Sequence, residues 1–205
     1  MTLFNNAGGN ETFAKELYRK LWMTKGSRFN AHQRLMSKHN WSIAGIAFSS
    51  AYVIIITLVG YIPLPLVNSQ KKDVMAFSAI VLSLFILVLS LLEASKSYQM
   101  KAREFHDCAR KLSPLYAEIR QILALDSTSM VGAEVSNQLA EIFKKYDDIL
   151  DQCQENHETV DFDSFKIQNN NEFHIRFCDR ILIQIRSWFN TFLPYLIMIV
   201  IPPVG

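Results

Sequence analysis

The chain has 205 residues, 50% hydrophobic and 20% charged, with a mean hydropathy of +0.10 and a formal net charge of only +2. That leaves room for one domain with a core and excludes the strongly basic surface of a nucleic-acid binder. Three widely spaced cysteines (Cys108, Cys153, Cys178) argue against a disulfide framework and for a reducing compartment.

Only 7 Gly and 6 Pro are present and helix formers fill the charged regions, so an all-α chain is predicted. The first forty residues contain ETFAKELYRKLWMTKGSRFNAHQRL, in which Phe13, Leu17, Leu21 and Trp22 stand among several Lys and Arg. Such a basic helix with an aromatic-rich face either lies on an anionic membrane surface or packs on other helices of the protein, and both readings stay open. Gly26 is expected to interrupt it.

No charged residue occurs from Asn40 to Gln70. Residues 41–62, WSIAGIAFSSAYVIIITLVGYI, make a helix of about 33 Å, enough to cross a hydrocarbon core of about 30 Å. Trp41 and Tyr61 sit at its ends, where amphipathic aromatics favour the interface. The stretch PLPLVNSQKKD then breaks the helix, and residues 74–92, VMAFSAIVLSLFILVLSLL, form a second uncharged run between Asp73 and Glu93. Two such runs in succession predict a transmembrane hairpin rather than two buried core helices. No apolar leader core precedes them, so the first span is expected to be its own uncleaved anchor. Lys and Arg are plentiful before the first span (Arg28, Arg34, Lys38) and after the second (Lys96, Lys101, Arg103), whereas the connection has only Lys71 and Lys72. Both ends of the hairpin are therefore expected to face the cytoplasm.

Small residues recur in both spans. Ala76, Ser83 and Ser90 repeat every seventh position with Ala79 on the same face, and Gly45 and Ser49 are four apart in the first span. They either pack the hairpin internally or form a mildly polar stripe along a path through an oligomer. Neither span carries an ionisable residue, which weighs against a proton relay or a charge-selective transporter.

After the second span, Tyr98, Ala102, Phe105, Ala109, Leu112, Tyr116, Ile119 and Leu123 step by four and three, a heptad seam on a helix running directly out of the membrane. Pro114 is expected to kink it near Ser113. DSTSMVG, residues 126–132, reads as a turn, and a second seam follows at Val135, Leu139, Ile142, Tyr146, Ile149 and Cys153. The two seams predict an antiparallel cytoplasmic hairpin. The last segment, residues 187–205, is uncharged and carries Pro194 and Pro202-Pro203. It is expected to be a third imperfect span, a re-entrant or interfacial helix, or a segment packed on the first two spans. The predicted division is thus 1–40, an amphipathic N-terminal region; 41–92, the membrane hairpin; 93–180, the cytoplasmic hairpin; and 181–205, the hydrophobic C-terminal segment.

No hydrolase, metalloprotease, P-loop or dinucleotide motif occurs, so no enzyme activity and no cofactor are expected. His106 and Cys108 with Cys153 and His157 are the nearest approach to a metal-ligand set, but their spacing is not that of a structural zinc site, and no metal is expected. The segment 141–163 is acidic, which repels phosphate backbones, so no direct nucleic-acid binding is expected; it reads as a solvated face or a dock for a basic partner. In QCQENHETVDF, residues 152–162, Cys153 closes the seam and is expected to be a packed thiol. Asn156 and His157 are expected to fix the corner against the helix bearing His106 by hydrogen bonds. Asp161 or Asp163 is expected to cap a helix beginning near Phe165.

Together these features resemble the SLATT family, the two-transmembrane effectors of prokaryotic conflict systems. The resemblance is carried by Asn30-Ala31 and Arg34-Leu35 before two spans, by Ala102, Phe105, His106, Cys108, Arg110 and Leu112 in YQMKAREFHDCARKLSPL, by Glu155-Asn156-His157, and by Asp161-Phe162. It covers roughly residues 28–170 and leaves out the C-terminal segment. It implies an antiphage, abortive-infection effector in the bacterial inner membrane, which oligomerises and permeabilises or depolarises that membrane. It also implies that the trigger comes from a separate sensor, a nucleotide second-messenger system or a retron-like reverse transcriptase with its nucleic acid. The alternative is a membrane-anchored adaptor that recruits a cytosolic partner through the acidic hairpin.

Overall fold

The structure is a computed structural model describing residues 7–62, 69–124, 133–153 and 155–200. Among these residues there are seven helices and no strand: α1 (Ala7–Tyr61), α2 (Ser69–Ser95), α3 (Tyr98–Leu123), α4 (Ala133–Gln152), α5 (Thr159–Gln168), α6 (Asn170–Phe173) and α7 (Phe177–Val200). The proline-containing start of the connection after the first span, the turn expected at residues 126–132 and Pro202-Pro203 lie outside the described residues. The chain divides into two units, unit 1 with residues 1–34 and 100–184 and unit 2 with residues 35–99 and 185–205.

In the core of unit 1, α1 packs as a third helix against α3 and α4. Ala14, Leu17 and Leu21 of α1 are buried with Leu112, Leu115, Ile119 and Ile122 of α3 and Leu139, Ile142 and Tyr146 of α4. The basic N-terminal stretch thus resolves to the packed alternative. α3 buries the expected seam at Ala102, Phe105, Ala109, Leu112 and Ile119, but also Cys108, Leu115 and Ile122. The broader buried face follows from having neighbours on two sides. Tyr18 stacks on Tyr116 at 5.0 Å between centroids, with the two hydroxyls 2.7 Å apart. Burial first, then that bond, pushes the Tyr116 phenol up to about 12.

Gly26 does not interrupt α1. A Cβ there would overlap ring carbons Cε2 and Cδ2 of Phe165. Phe165 is itself held by Trp22 (4.8 Å) and Phe173 (6.0 Å), so the glycine gives α5 its close approach to α1. α3 likewise runs through Pro114. The second span and the following helix are not one rod: α2 ends at Ser95, and Ser97 takes a left-handed conformation (φ 50) before α3 begins.

Unit 2 contains the membrane hairpin. The residues of α1 turned inward are Ser42, Gly45, Ser49, Tyr52, Ile56 and Val59, and those of α2 are Met75, Ala79, Leu82, Ile86, Leu89 and Glu93. Both sets step by three and four, the packing of a coiled-coil seam. Outside the seams, large apolar residues are bare: Phe77 is 69% and Ile80 67% exposed. A helix in the core of a soluble protein would be covered on those sides, so the natural solvent of these two helices is lipid. The hydroxyls of Ser50 and Thr57 bond back to the carbonyls of Ile46 (2.9 Å) and Val53 (2.8 Å), which satisfies them in hydrocarbon. α7 is helical straight through Pro194, and Phe192 meets Trp41 edge to face at 5.4 Å. The C-terminal segment therefore packs against the first span at that level.

Candidate functional site

Unit 1 concentrates its buried polar groups where the strap between α4 and α5 crosses α1 and α3. The centre is Asp161, 1% exposed, in a bidentate pair with Arg34: Nε donates to Oδ1 at 2.8 Å and Nη2 to Oδ2 at 3.0 Å. Arg34 Nη1 lies 2.9 Å from the Glu158 carboxylate. Burial alone would lower the Arg34 pKa, but Asp161 and Glu158 outweigh it and hold it above the ordinary value. Asp161 Oδ2 also accepts the Glu158 backbone N–H at 3.0 Å, and Asn30 Nδ2 donates to the Asp161 carbonyl at 3.2 Å. Asp161 therefore sits in the first turn of a helix that begins at Thr159, earlier than the helix start expected near Phe165.

Beside this pair, buried Arg28 donates from Nη1 to the Glu155 carbonyl at 3.3 Å, and Lys101 of α3 pairs with the Glu155 carboxylate at 2.9 Å. Burial lowers the Arg28 pKa, partly opposed by Tyr146. His157 is half-buried, and its pKa is lowered by burial and then by Arg28, with Asp161 opposing. His106 packs against His32 at 4.9 Å and Phe29 at 5.7 Å, while His32 Nδ1 donates to the Ala102 carbonyl at 2.9 Å.

The ties around residues 155–161 differ from the expected ones. Asn156 and Arg110 are exposed, and among the described residues the buried Nδ1 atoms of His106 and His157 have no hydrogen-bond partner. That stretch is fixed against α1 by Asp161, Glu158 and the Glu155 carbonyl. Besides the Lys101–Glu155 pair, a covalent bond links it to α3: Cys153 is not a packed thiol but is disulfide-bonded to Cys108, with Cα atoms 6.2 Å apart. Neither the odd cysteine count nor the separation of 45 residues signals this, because a pairing across two helices is invisible to local spacing. Arg34 and Asn30, which spacing did not mark as site residues, are the α1 half of the site. A local signal exists for Arg28: it falls in three-four step with Leu17, Leu21, Ala31 and Leu35, and a charge in an apolar seam has to be buried and paired.

In unit 2 the small residues separate. Ala79 and Gly45 are buried and Ser49 half-buried in the hairpin seam and Ser90 is half-buried beside it, whereas Ala76 and Ser83 are exposed on its outside. Ser83 Oγ bonds to the Ile80 carbonyl at 2.8 Å. Where the hairpin meets charged residues, buried Ser42 donates to Glu93 at 3.0 Å and Lys96 pairs with the same carboxylate.

Two apolar helices with lipid-type exposure and a separate helical unit held by a buried ion pair define a two-span helical membrane protein. The chain belongs to the SMODS and SLOG-associating 2TM effector domain family 5, which it matches over residues 10–205, and is accordingly a membrane effector of conflict systems. The match includes the C-terminal segment, well beyond the residues that carried the resemblance. No curated protein and no solved structure matches the chain.

Proposed function

We propose that the protein acts without catalysis, as an antiphage effector that assembles in the bacterial inner membrane and depolarises it when a separate sensor acts on unit 1. Unit 1 lies in the cytoplasm in this reading, in keeping with the Lys and Arg on both flanks of the hairpin. The observation that supports assembly is the placement of Ala76 and Ser83 on the outer face of α2. One hairpin closed by a continuous seam encloses no lumen, so a conducting path needs several copies. Small residues on the lipid-facing side are where a second copy packs closely. The Ser83 hydroxyl, bonded to its own helix at rest, is then available to turn toward a path between copies.

The test is membrane potential in cells carrying the chain with its activating system. Triggering is expected to collapse the potential and admit an impermeant dye. Ser83→Leu, which keeps the hairpin seam intact, is expected to weaken the response at equal expression. Normal potential and dye exclusion after triggering would end the effector reading. Deleting both spans separates it from an adaptor role: an adaptor still binds its partner, whereas an effector loses toxicity.

A further inference from the structure

We propose that Cys108 and Cys153 are a reversible thiol–disulfide site. A dithiol reductant acting at Cys153 opens it and frees the strap of residues 155–161 from α3. The inference rests on the cytoplasmic placement of unit 1 proposed above, because a disulfide in a reducing compartment persists only where it is made and broken in use. The site joins the buried face of α3 to the first residue after α4.

The strap has unequal ties to its two neighbours. Toward α1 it is held by the buried Arg34–Asp161 pair and by the bond from Asn30 to the Asp161 carbonyl. Toward α3, apart from the disulfide, it has the Lys101–Glu155 pair, whose side chains are 44% and 37% exposed. An ion pair that open to water contributes little. Lys111 reaches Gln152 at 3.1 Å, also on the surface. Among the described residues the disulfide is thus the one strong link between strap and α3, and opening it changes the strap without unpacking Leu139, Ile142 and Tyr146 from the core.

Exposure decides the direction of attack. Cys108 is 3% exposed and Cys153 half-buried, so an incoming thiolate reaches the Cys153 sulfur. A mixed disulfide forms there, the S–S bond breaks, and Cys108 leaves as a thiolate that takes a proton. The second thiol of the reductant then attacks the mixed disulfide, Cys153 leaves as a thiol, and the reductant departs as its own disulfide. Two electrons and two protons pass from the reductant to the protein. The reverse step needs an oxidised dithiol or a peroxide.

The experiment uses the full chain in inner-membrane vesicles, tagged with a maleimide polymer that retards each labelled copy on a gel. Exposed Cys178 is the internal reference. Oxidised protein is expected to take one tag under denaturing conditions, and protein pre-treated natively with a dithiol three, the full cysteine count. Hydrogen exchange at residues 155–161 is expected to accelerate on the order of tenfold on reduction, with the α4 core unchanged. Cys108→Ser/Cys153→Ser should show the fast exchange with no reductant; the wild-type comparison needs no variant and stands if that one misfolds. Three tags even after peroxide would overturn the proposal, since no bond forms. One tag after native dithiol treatment would do so too, since the bond is then closed for good, as would unchanged exchange at the strap. An impermeant maleimide reaching Cys178 only from the outer side would overturn the orientation and the proposal with it. A missing depolarisation sinks the effector reading alone, because the tag counts and exchange rates do not depend on it.

Discussion

Asp161→Asn is the sharpest probe of unit 1. The side chains of Arg34 and Asp161 are 8% and 1% exposed, so water cannot replace what the substitution removes. Asp161 Oδ2 accepts two donors, Arg34 Nη2 and the Glu158 backbone N–H, and Oδ1 accepts Arg34 Nε. An asparagine oxygen at the Oδ2 position leaves its NH2 facing Nε. The flipped amide faces two donors at once. Either way Arg34 keeps its charge with only the 56% exposed Glu158 carboxylate as counterion. Breaking a buried pair from one side costs about 3–5 kcal/mol. For a unit of this size that lowers the melting temperature by roughly 10 °C or more. The assay is urea or thermal unfolding of the full chain in nanodiscs, followed by Trp22 fluorescence, because Trp22 packs on Phe165 of α5. Arg34→Met/Asp161→Leu, which removes both charges, should be milder than either single change. A loss below about 1 kcal/mol for Asp161→Asn would refute the reasoning, since a pair that cheap to break is not a dry one.

Gly26→Ala should destabilise unit 1 by about 1–3 kcal/mol despite alanine's better helix propensity, because the added methyl overlaps the Phe165 ring. Gly60→Ala meets nothing within 4 Å among the described residues and should be neutral or stabilising by up to about 1 kcal/mol; both are read by the same unfolding assay. The His157 pKa is depressed in the folded chain, so the unfolded chain binds more protons below its ordinary value of about 6.5. Stability is then fully present above that pH and is lost as pH falls through the depressed pKa. His157→Leu should flatten the slope between pH 7 and 5, and an unchanged slope would show that His157 does not carry it.

Much of the architecture was legible in the sequence because it follows from short-range pattern. The charge-free lengths of residues 41–62 and 74–92 place two spans, and the α4 seam at Leu139, Ile142 and Tyr146 is buried as its step predicts. A longer signal was also present: along α1 the three-four step runs from Asn10 through Leu17, Leu21, Arg28, Ala31, Leu35, Ser42, Gly45 and Ser49 to Val59. That step is a helical period kept without a break, and it accounts for one 55-residue helix where Gly26 suggested two.

The candidate site was less legible. The partners of Cys108, Glu155 and Asp161 could not be read from spacing. Arg34 and Asp161 are 127 residues apart and Cys108 and Cys153 are 45 apart, and nothing local marks either pair. Periodicity reports which face of a helix avoids water, and by itself it determined the helices, the spans and most of the buried faces. Which buried face meets which is set by packing between distant segments. Only the tertiary structure decided that α1 completes the unit 1 core, that Asp161 is neutralised by Arg34, that Cys153 is bonded to Cys108, and that Ser83 faces outward while Ala79 faces in.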